Sequence, residues 1–385
     1  MGTVMATLLA QGGIDTVLLE ARQTCAEDLR ASTFHPPTVE MLDQIGITPM
    51  LLERGLKAPI YHSRDRQSGS SVAFDLSELS DMTRYPFRIQ CEQYHLSNAL
   101  AAGLEALPNA DVLFGTRLLS FDQDDTGFTV FAEGATQVEC IQCDWLIGTD
   151  GANSLVRKWL GIEFDGFTYP EKFLCLTTNI ELADNLPNLA LVNYVADPQE
   201  WLVLLRVPSL LRVLVPTDDT TPDVELLGDA TKDAIFDRLI GQGASVKTEH
   251  RTLYRVHQRV AKSFTEGCVV LIVDPAHLNN PLVGFGMNSG VHDAFDLFRE
   301  IEPEITNGAS AEQIACFKRR RRTVTHAFTQ AQSSQNMEYI KVGNGVAHKQ
   351  RRANLLAICA DDGKRRAYPM RQAMFESLAR AAEIN

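Results

Sequence analysis

No stretch of this 385-residue sequence approaches the ~20 consecutive apolar residues that a membrane-spanning helix requires, so no transmembrane segment and no integral membrane contact is expected. The opening residues, Met1 to Gln11, lack a basic segment and run straight into a strand pattern, which argues against a secretory signal. Cysteine is present without a framework. Of the eight, only Cys140 and Cys143 form a C-x-x-C and no second pair follows, whereas a zinc site needs about four ligands; free thiols in a reducing cytoplasm and no metal are expected. Positive charge is in deficit: 36 lysines and arginines face 49 aspartates and glutamates, and the formal net charge of −13 argues against a nucleic-acid partner. A basic run, Lys318 to Arg322, precedes a helical pattern from Val324 to Gln332 and reads as a solvated helix face. There is no internal repeat and no low-complexity segment. At 45% hydrophobic and 22% charged residues, the composition is that of a globular chain large enough for two domains or one large one.

The richest segment is Val269 to Asp293. Val269-Val270-Leu271-Ile272-Val273 is an apolar run of strand length that ends in Asp274, and Asn288 to Glu300 is a helix candidate with Leu297 and Phe298 on an apolar side. Between them, Pro275-Ala276-His277 and Pro281-Leu282-Val283-Gly284-Phe285-Gly286-Met287-Asn288 form a Pro- and Gly-rich loop. Such glycines let backbone approach a flat ligand, and the N–H groups of a helix start face negative charge. A second strand-loop-helix pattern runs from Asp144 to Arg157 through Asp150-Gly151-Ala152-Asn153-Ser154, where Asn153 or Ser154 suits a helix start.

The two segments together resemble signatures of the FAD-dependent aromatic hydroxylases, the p-hydroxybenzoate hydroxylase-like group A flavoprotein monooxygenases. The resemblance implies an α/β fold with a Rossmann-like FAD-binding domain, a mostly antiparallel substrate domain and a C-terminal helical tail. In that family the first signature is a strand, a G-x-G-x-x-G turn and a helix, and the next strand ends in an acid that binds ribose. Here Gly2 aligns with the last of those glycines and Glu20 with the acid. The first strand and two glycines are absent, so half of the pyrophosphate cradle is expected to be missing and the native start to lie upstream of Met1.

By the same resemblance, Asp274 holds the ribityl chain, the backbone of Gly284, Gly286, Met287 and Asn288 faces the flavin pyrimidine, and Asp150 and Gly151 lie near the pyrophosphate. Arg30 is carried over to the FAD phosphates and Gln93 to the flavin. Pro281 fixes the loop beside the flavin ring, and His277 is a candidate catalytic or structural histidine. The implied cofactors are FAD, with NADPH or NADH as reductant; the implied partners are a small aromatic substrate and O2, and a homodimer is compatible with the pattern.

The implied domains are discontinuous: residues 1–60, 88–165 and 255–340 for FAD, 61–87 and 166–254 for substrate, and 341–385 as the helical tail. Alternation in Trp201 to Val207 and Leu211 to Val215, about Pro208-Ser209, predicts a β-hairpin, and Phe173 to Ile180 a further strand. Thr38 is the predicted N-cap of a short helix. The implied reaction is hydroxylation of a phenolic ring through a flavin C4a-hydroperoxide. For a base that deprotonates the phenol, His277, His257, Tyr254 and Tyr61 qualify by type alone. Two departures define an alternative. Val273 and Val283 stand where the family has glycine, which predicts crowding of the cofactor and allows a member that binds FAD weakly or not at all and acts as a non-redox binder or isomerase. Halogenation is disfavoured, because Trp145, Trp159 and Trp201 are isolated and no W-x-W-x-I-P occurs.

Overall fold

The computed structural model describes every residue except 28, 30, 126, 183–185, 187, 198–199, 242–245, 308–311, 342–345 and 385. The first helix, Gly2–Gln11, is buried continuously from Val4 to Ala10. It packs against helices Gln93–Glu105 and Phe285–Asn307, which is why it carries little polar character. Strand Thr16–Glu20 pairs in parallel with Ala110–Phe114, and strand Leu146–Gly148 pairs in parallel with Val269–Leu271. Among the described residues these pairs belong to separate sheets. Val4, Leu8, Leu42, Val270, Val291 and Leu297 share the core beneath them.

The second region is an eight-stranded sheet that is antiparallel except where Val192–Ala196 runs parallel to Ile60–Asp65. Its longest members, Phe164–Thr178 and His250–Ala261, pair along almost their whole length and run across two of the four boundaries expected between the two regions, those after residues 165 and 254. The hairpin pairs Arg206 with Leu211, as the alternation predicts. Both faces of this sheet are covered, so its central strands are buried at consecutive positions, as in Leu211 to Val215, rather than at every second one. Phe173 and Cys175 face a cluster with Phe285 and Phe328, whereas Leu174 and Leu176 face Phe236 of helix Asp229–Ile240.

Two expectations are corrected. Helix Phe285–Asn307 begins before Asn288, because a 3-10 turn over Leu282–Gly284 leads directly into it. The helix Pro36–Gln44 is capped at His35 with prolines in its first turn, whose fixed φ suits that position; Thr38 instead lies inside the helix. Residues beyond 340 form the expected C-terminal helices. Helices Val346–Ala360, Asp362–Gln372 and Phe375–Ala382 fold back onto the sheet, where Leu355 and Tyr368 join Tyr61 and Phe74. Arg365 and Arg366 pair there with Glu78 and Asp81. Among the described residues, no helix is long and apolar enough to cross a membrane.

Candidate active site

The two signature segments are joined by one side chain. Ser154 caps helix Leu155–Trp159 by accepting from the Arg157 N–H at 2.9 Å, and Asp150 supports that cap from the Ser154 hydroxyl at 2.6 Å and the Leu155 N–H at 2.6 Å. Arg157 then donates to the Pro275 carbonyl at 2.9 Å and to the Ala152 carbonyl at 2.8 Å. The loop after Val273 is thus tied to the loop after Gly151, whose φ of +79° suits glycine.

Asn288 organises the other end of the loop. It is fully buried, accepts from the His35 N–H at 2.8 Å and donates to the carbonyls of Thr33 at 2.8 Å and Gly284 at 2.6 Å. Thr33 in turn donates to Gln90 Oε1 at 3.0 Å, while Gln90 Nε2 and Asn279 Oδ1 are buried without partners among the described residues. Gly284 has φ +74°, and a Cβ built on Gly286 would meet only Asn279 Oδ1, at 3.7 Å. An open backbone face, the unspent Gln90 Nε2 donor and the N-terminus of a 23-residue helix supply the donors that an anionic flavin edge needs. The residues present therefore fit FAD.

The remaining sequence-derived positions are dispersed around this framework. Gly2 opens the first helix between Leu18 and Thr149, with so little space that a Cβ would lie 2.9 Å from the Thr149 hydroxyl. Glu20 ends its strand and accepts from the Arg22 N–H at 2.9 Å. Gln93 starts its helix with its N–H on the Ala31 carbonyl at 3.0 Å. Asp274 is exposed, Met287 is buried, and Pro281 precedes the 3-10 turn with φ −70°. Arg30 and the side chain of Val283 lie outside the described residues. Val273 is 4% exposed and packs against Gly290, not in the left-handed region, so the crowding expected at this valine falls on the protein core instead.

Behind the loop lies a charge network that the sequence did not signal. His277 Nε2 is 2.9 Å from Asp293 Oδ2, and Arg321 Nε donates to Asp293 Oδ1 at 2.6 Å; the three side chains are 0–1% exposed. Arg320 pairs with Asp296 at 2.6 Å and Glu300 at 2.7 Å. The basic run is therefore a buried ionic seam at Arg320 and Arg321 rather than a solvated face. Burial alone would push the Asp293 carboxyl up, but Arg321 and His277 outweigh it and hold it below the usual carboxylate range. His292, beside Thr38 Oγ1 at 3.1 Å, is pushed down to about 3 by burial and by Arg321, against the pull of Asp293.

These shifts have a sign. A histidine depressed in the folded state stays neutral there while the unfolded chain takes up a proton below its ordinary value of about 6.5. Stability is thus fully present above that pH and declines as pH falls from about 6.5 towards 3. Asp293 adds its own loss in the more acidic range, as pH falls through its depressed value. Urea unfolding midpoints between pH 7 and 4.5 should fall steadily in the parent, and His292→Gln should flatten the decline; an equal slope in both would remove His292 as a cause.

A pocket opens between the antiparallel sheet, the loop and the C-terminal helices, walled by Tyr61, Tyr194, Leu282, Tyr339, Arg351 and Tyr368. Of the four candidate bases only Tyr61 lines it, and burial pushes its phenol well above the ordinary range, so it remains protonated. His257 bonds Thr168 at 2.9 Å, Tyr254 stacks on Phe173, and His277 is held in the ionic network. Elsewhere Cys91, Glu92 and His95 converge, with Arg54 3.2 Å from His95, and burial pushes the Cys91 thiol up to about 12.

The fold and this framework define a flavoprotein oxidoreductase. Residues 1–332 match the family described as FAD binding domain, to which the chain belongs, and it is an FAD-dependent monooxygenase. It is 33% identical over 347 residues to the para-nitrophenol 4-monooxygenase of Pseudomonas sp. (strain WBC-3), covering 89% of this chain and 85% of the relative. It is 29% identical over 350 residues to the 6-hydroxy-3-succinoylpyridine 3-monooxygenase of Pseudomonas putida (strain DSM 28022 / S16), covering 90% and 88%. The crystal structure of p-nitrophenol 4-monooxygenase from Pseudomonas putida DLL-E4 superposes with a TM-score of 0.91 at 28% identity, covering 98% of this chain and 95% of that one.

Proposed function

We propose that the protein hydroxylates a phenolic ring held in the tyrosine-walled pocket, using NADH or NADPH as reductant and O2 as the oxygen source. The observation that carries this reading is Leu282, which follows Pro281 in the loop that leads into the Asn288 framework and is also a wall of the pocket. One loop thereby serves both cofactor and ring. Relatives named for a nitrophenol and a hydroxypyridine support a substrate of this class.

FAD would be held by Gly2, Glu20, Arg30, Asp150 and Gly151 along its adenosine and phosphates, by Asp274 at the ribityl chain, by Gln93 at the flavin, and by the backbone of Gly284, Gly286, Met287 and Asn288 at the pyrimidine. When bound, it would supply the redox chemistry by which electrons of the nicotinamide reduce O2, one oxygen atom passing to the ring and the other leaving as water. The chain supplies the surroundings. N–H groups at the start of helix Phe285–Asn307 stabilise negative charge by orientation alone. The apolar and aromatic walls exclude water, and Pro281 restrains the loop. Among the described residues that wall the pocket, no side chain has the character of a general base, so the ring would be bound already ionised. FAD-loaded protein mixed with 4-substituted phenols should oxidise NADH or NADPH with parallel O2 consumption. A colourless protein that FAD cannot reconstitute would support the non-redox alternative instead.

A further inference from the structure

The pocket wall carries a cation and no anion. Among the described residues that line it, Arg351 is the single charged side chain, set among tyrosines, Ser63 and the amides of Asn336 and Gln372. It comes from helix Val346–Ala360, is 4% exposed, donates from Nη2 to Ser63 Oγ at 2.9 Å and lies 4.8 Å from the Tyr339 ring centroid. Its Nε is buried without a partner, and among the described residues no carboxylate is ion-paired with it. Asp65, on the same strand as Ser63, acts on it only at longer range. Tyr339 and Tyr368 also face it, but burial pushes the first phenol up to about 12 and the second up as well, so neither supplies negative charge. The two amides are bonded to each other, at 3.0 and 3.2 Å. Arg88 is not part of the wall, yet it lies 4.2 Å from the Tyr61 ring centroid and adds positive charge behind it. A cation taken out of water in this way is unfavourable unless an acceptor completes it.

We propose that Arg351 receives the ionised oxygen of the phenol, so that the pocket captures the phenolate in preference to the neutral phenol. This rests on the pocket being the substrate site, and it names the group that favours the ionised ring there. The phenolic proton passes to bulk water as the ring binds, and no base on the wall is required. A guanidinium bonds an anionic oxygen more strongly than a neutral one, and most strongly where water is excluded. The Tyr61 hydroxyl is buried, unpartnered and held protonated, so it has a hydrogen to donate and no capacity to take the proton of the phenol. An uncompensated charge destabilises the empty protein, and a bound anion offsets that. Arg351 is thus more useful to the liganded protein than to the fold.

FAD-loaded protein without nicotinamide is titrated with 4-hydroxybenzaldehyde and with its methyl ether, 4-methoxybenzaldehyde, across a pH series. Absorbance reports which form of the phenol is bound, and calorimetry in buffers of different ionisation enthalpy counts the proton released. In the unaltered protein the bound phenol should ionise at a pH roughly one unit or more below that of the free compound, and the ether should bind roughly tenfold more weakly or worse. Where the free phenol is neutral, about one proton should leave per ring bound. Arg351→Met should return the midpoint to that of the free compound or above it, and Arg351→Lys should keep part of the shift. With its uncompensated charge removed, the ligand-free Arg351→Met protein should melt at or above the parent temperature and keep its FAD. The unaltered protein alone overturns the proposal if the midpoint is unshifted, if phenol and ether bind equally or if neither binds; so does an Arg351→Met protein that keeps the shift. Ionised capture without hydroxylation would leave the role of Arg351 standing and remove the proposed reaction, whereas hydroxylation with an unshifted midpoint would do the reverse.

Discussion

Asp293→Ala is expected to destabilise the protein by about 3–5 kcal/mol, the typical cost of removing one partner from a buried charge network. Asp293 is 1% exposed and holds Arg321 on one oxygen and His277 on the other. Its removal leaves a guanidinium with no counterion in the core, far from water. Arg299→Ala is the internal comparison: that arginine is 65% exposed, so its pairing with Asp296 should be worth no more than ~1 kcal/mol. Because His277 lies in the loop after Asp274, the Asp293 variant should also lose flavin. Denaturant midpoints of the two variants measure the contrast, and an Asp293→Ala protein within 1 kcal/mol of its parent would mean that Arg321 relaxes to solvent.

Gly286→Val should act in opposite directions on the two forms of the protein. The position lies in the first turn of a long helix, where valine is slightly better than glycine, and the added Cβ meets nothing closer than 3.7 Å. The FAD-free protein should therefore be as stable as its parent or a few tenths of a kcal/mol more so. If the flavin packs on that open face, the side chain occupies its place, and FAD should bind at least tenfold more weakly, ~1.4 kcal/mol or more. Gly284→Ala provides the contrast: at φ +74°, with Thr33 Cβ 3.3 Å away, it should destabilise even the FAD-free protein. Fluorescence titration with FAD and melting of the FAD-free protein read both quantities. Unchanged FAD affinity in Gly286→Val would remove the cofactor from that face of the loop.

The parts of the molecule that were legible in the sequence are those governed by local rules. The cap at Ser154, the hairpin at Pro208-Ser209 and the strand before Asp274 each follow from residues a few positions apart. Charge was misread wherever its partner was distant. Lys318 to Arg322 looks solvated because composition favours it, yet Arg321 is buried on Asp293 from another helix. Helices beyond 340 look like a charged tail because Arg365 and Arg366 find Glu78 and Asp81 only after folding, across 285 to 287 positions. For the same reason Arg88 and Arg351 gave no signal: an arginine's burial depends on pairings between segments that no periodicity records. The buried tyrosines could have raised suspicion, since Tyr61, Tyr194, Tyr339 and Tyr368 bring four hydroxyls to one cavity, but their spacing in sequence is arbitrary.

The central claim is that FAD bound on the Gly284–Asn288 loop delivers oxygen to a phenolic ring in the adjoining pocket. Its most direct test is product analysis after turnover of FAD-loaded protein with NADH or NADPH and a 4-substituted phenol under dioxygen labelled with heavy oxygen. One labelled atom in each molecule of oxidised phenol is the result expected. Consumption of the nicotinamide with all labelled oxygen recovered as peroxide and water, and none in the ring, across phenols that bind the pocket, would contradict it.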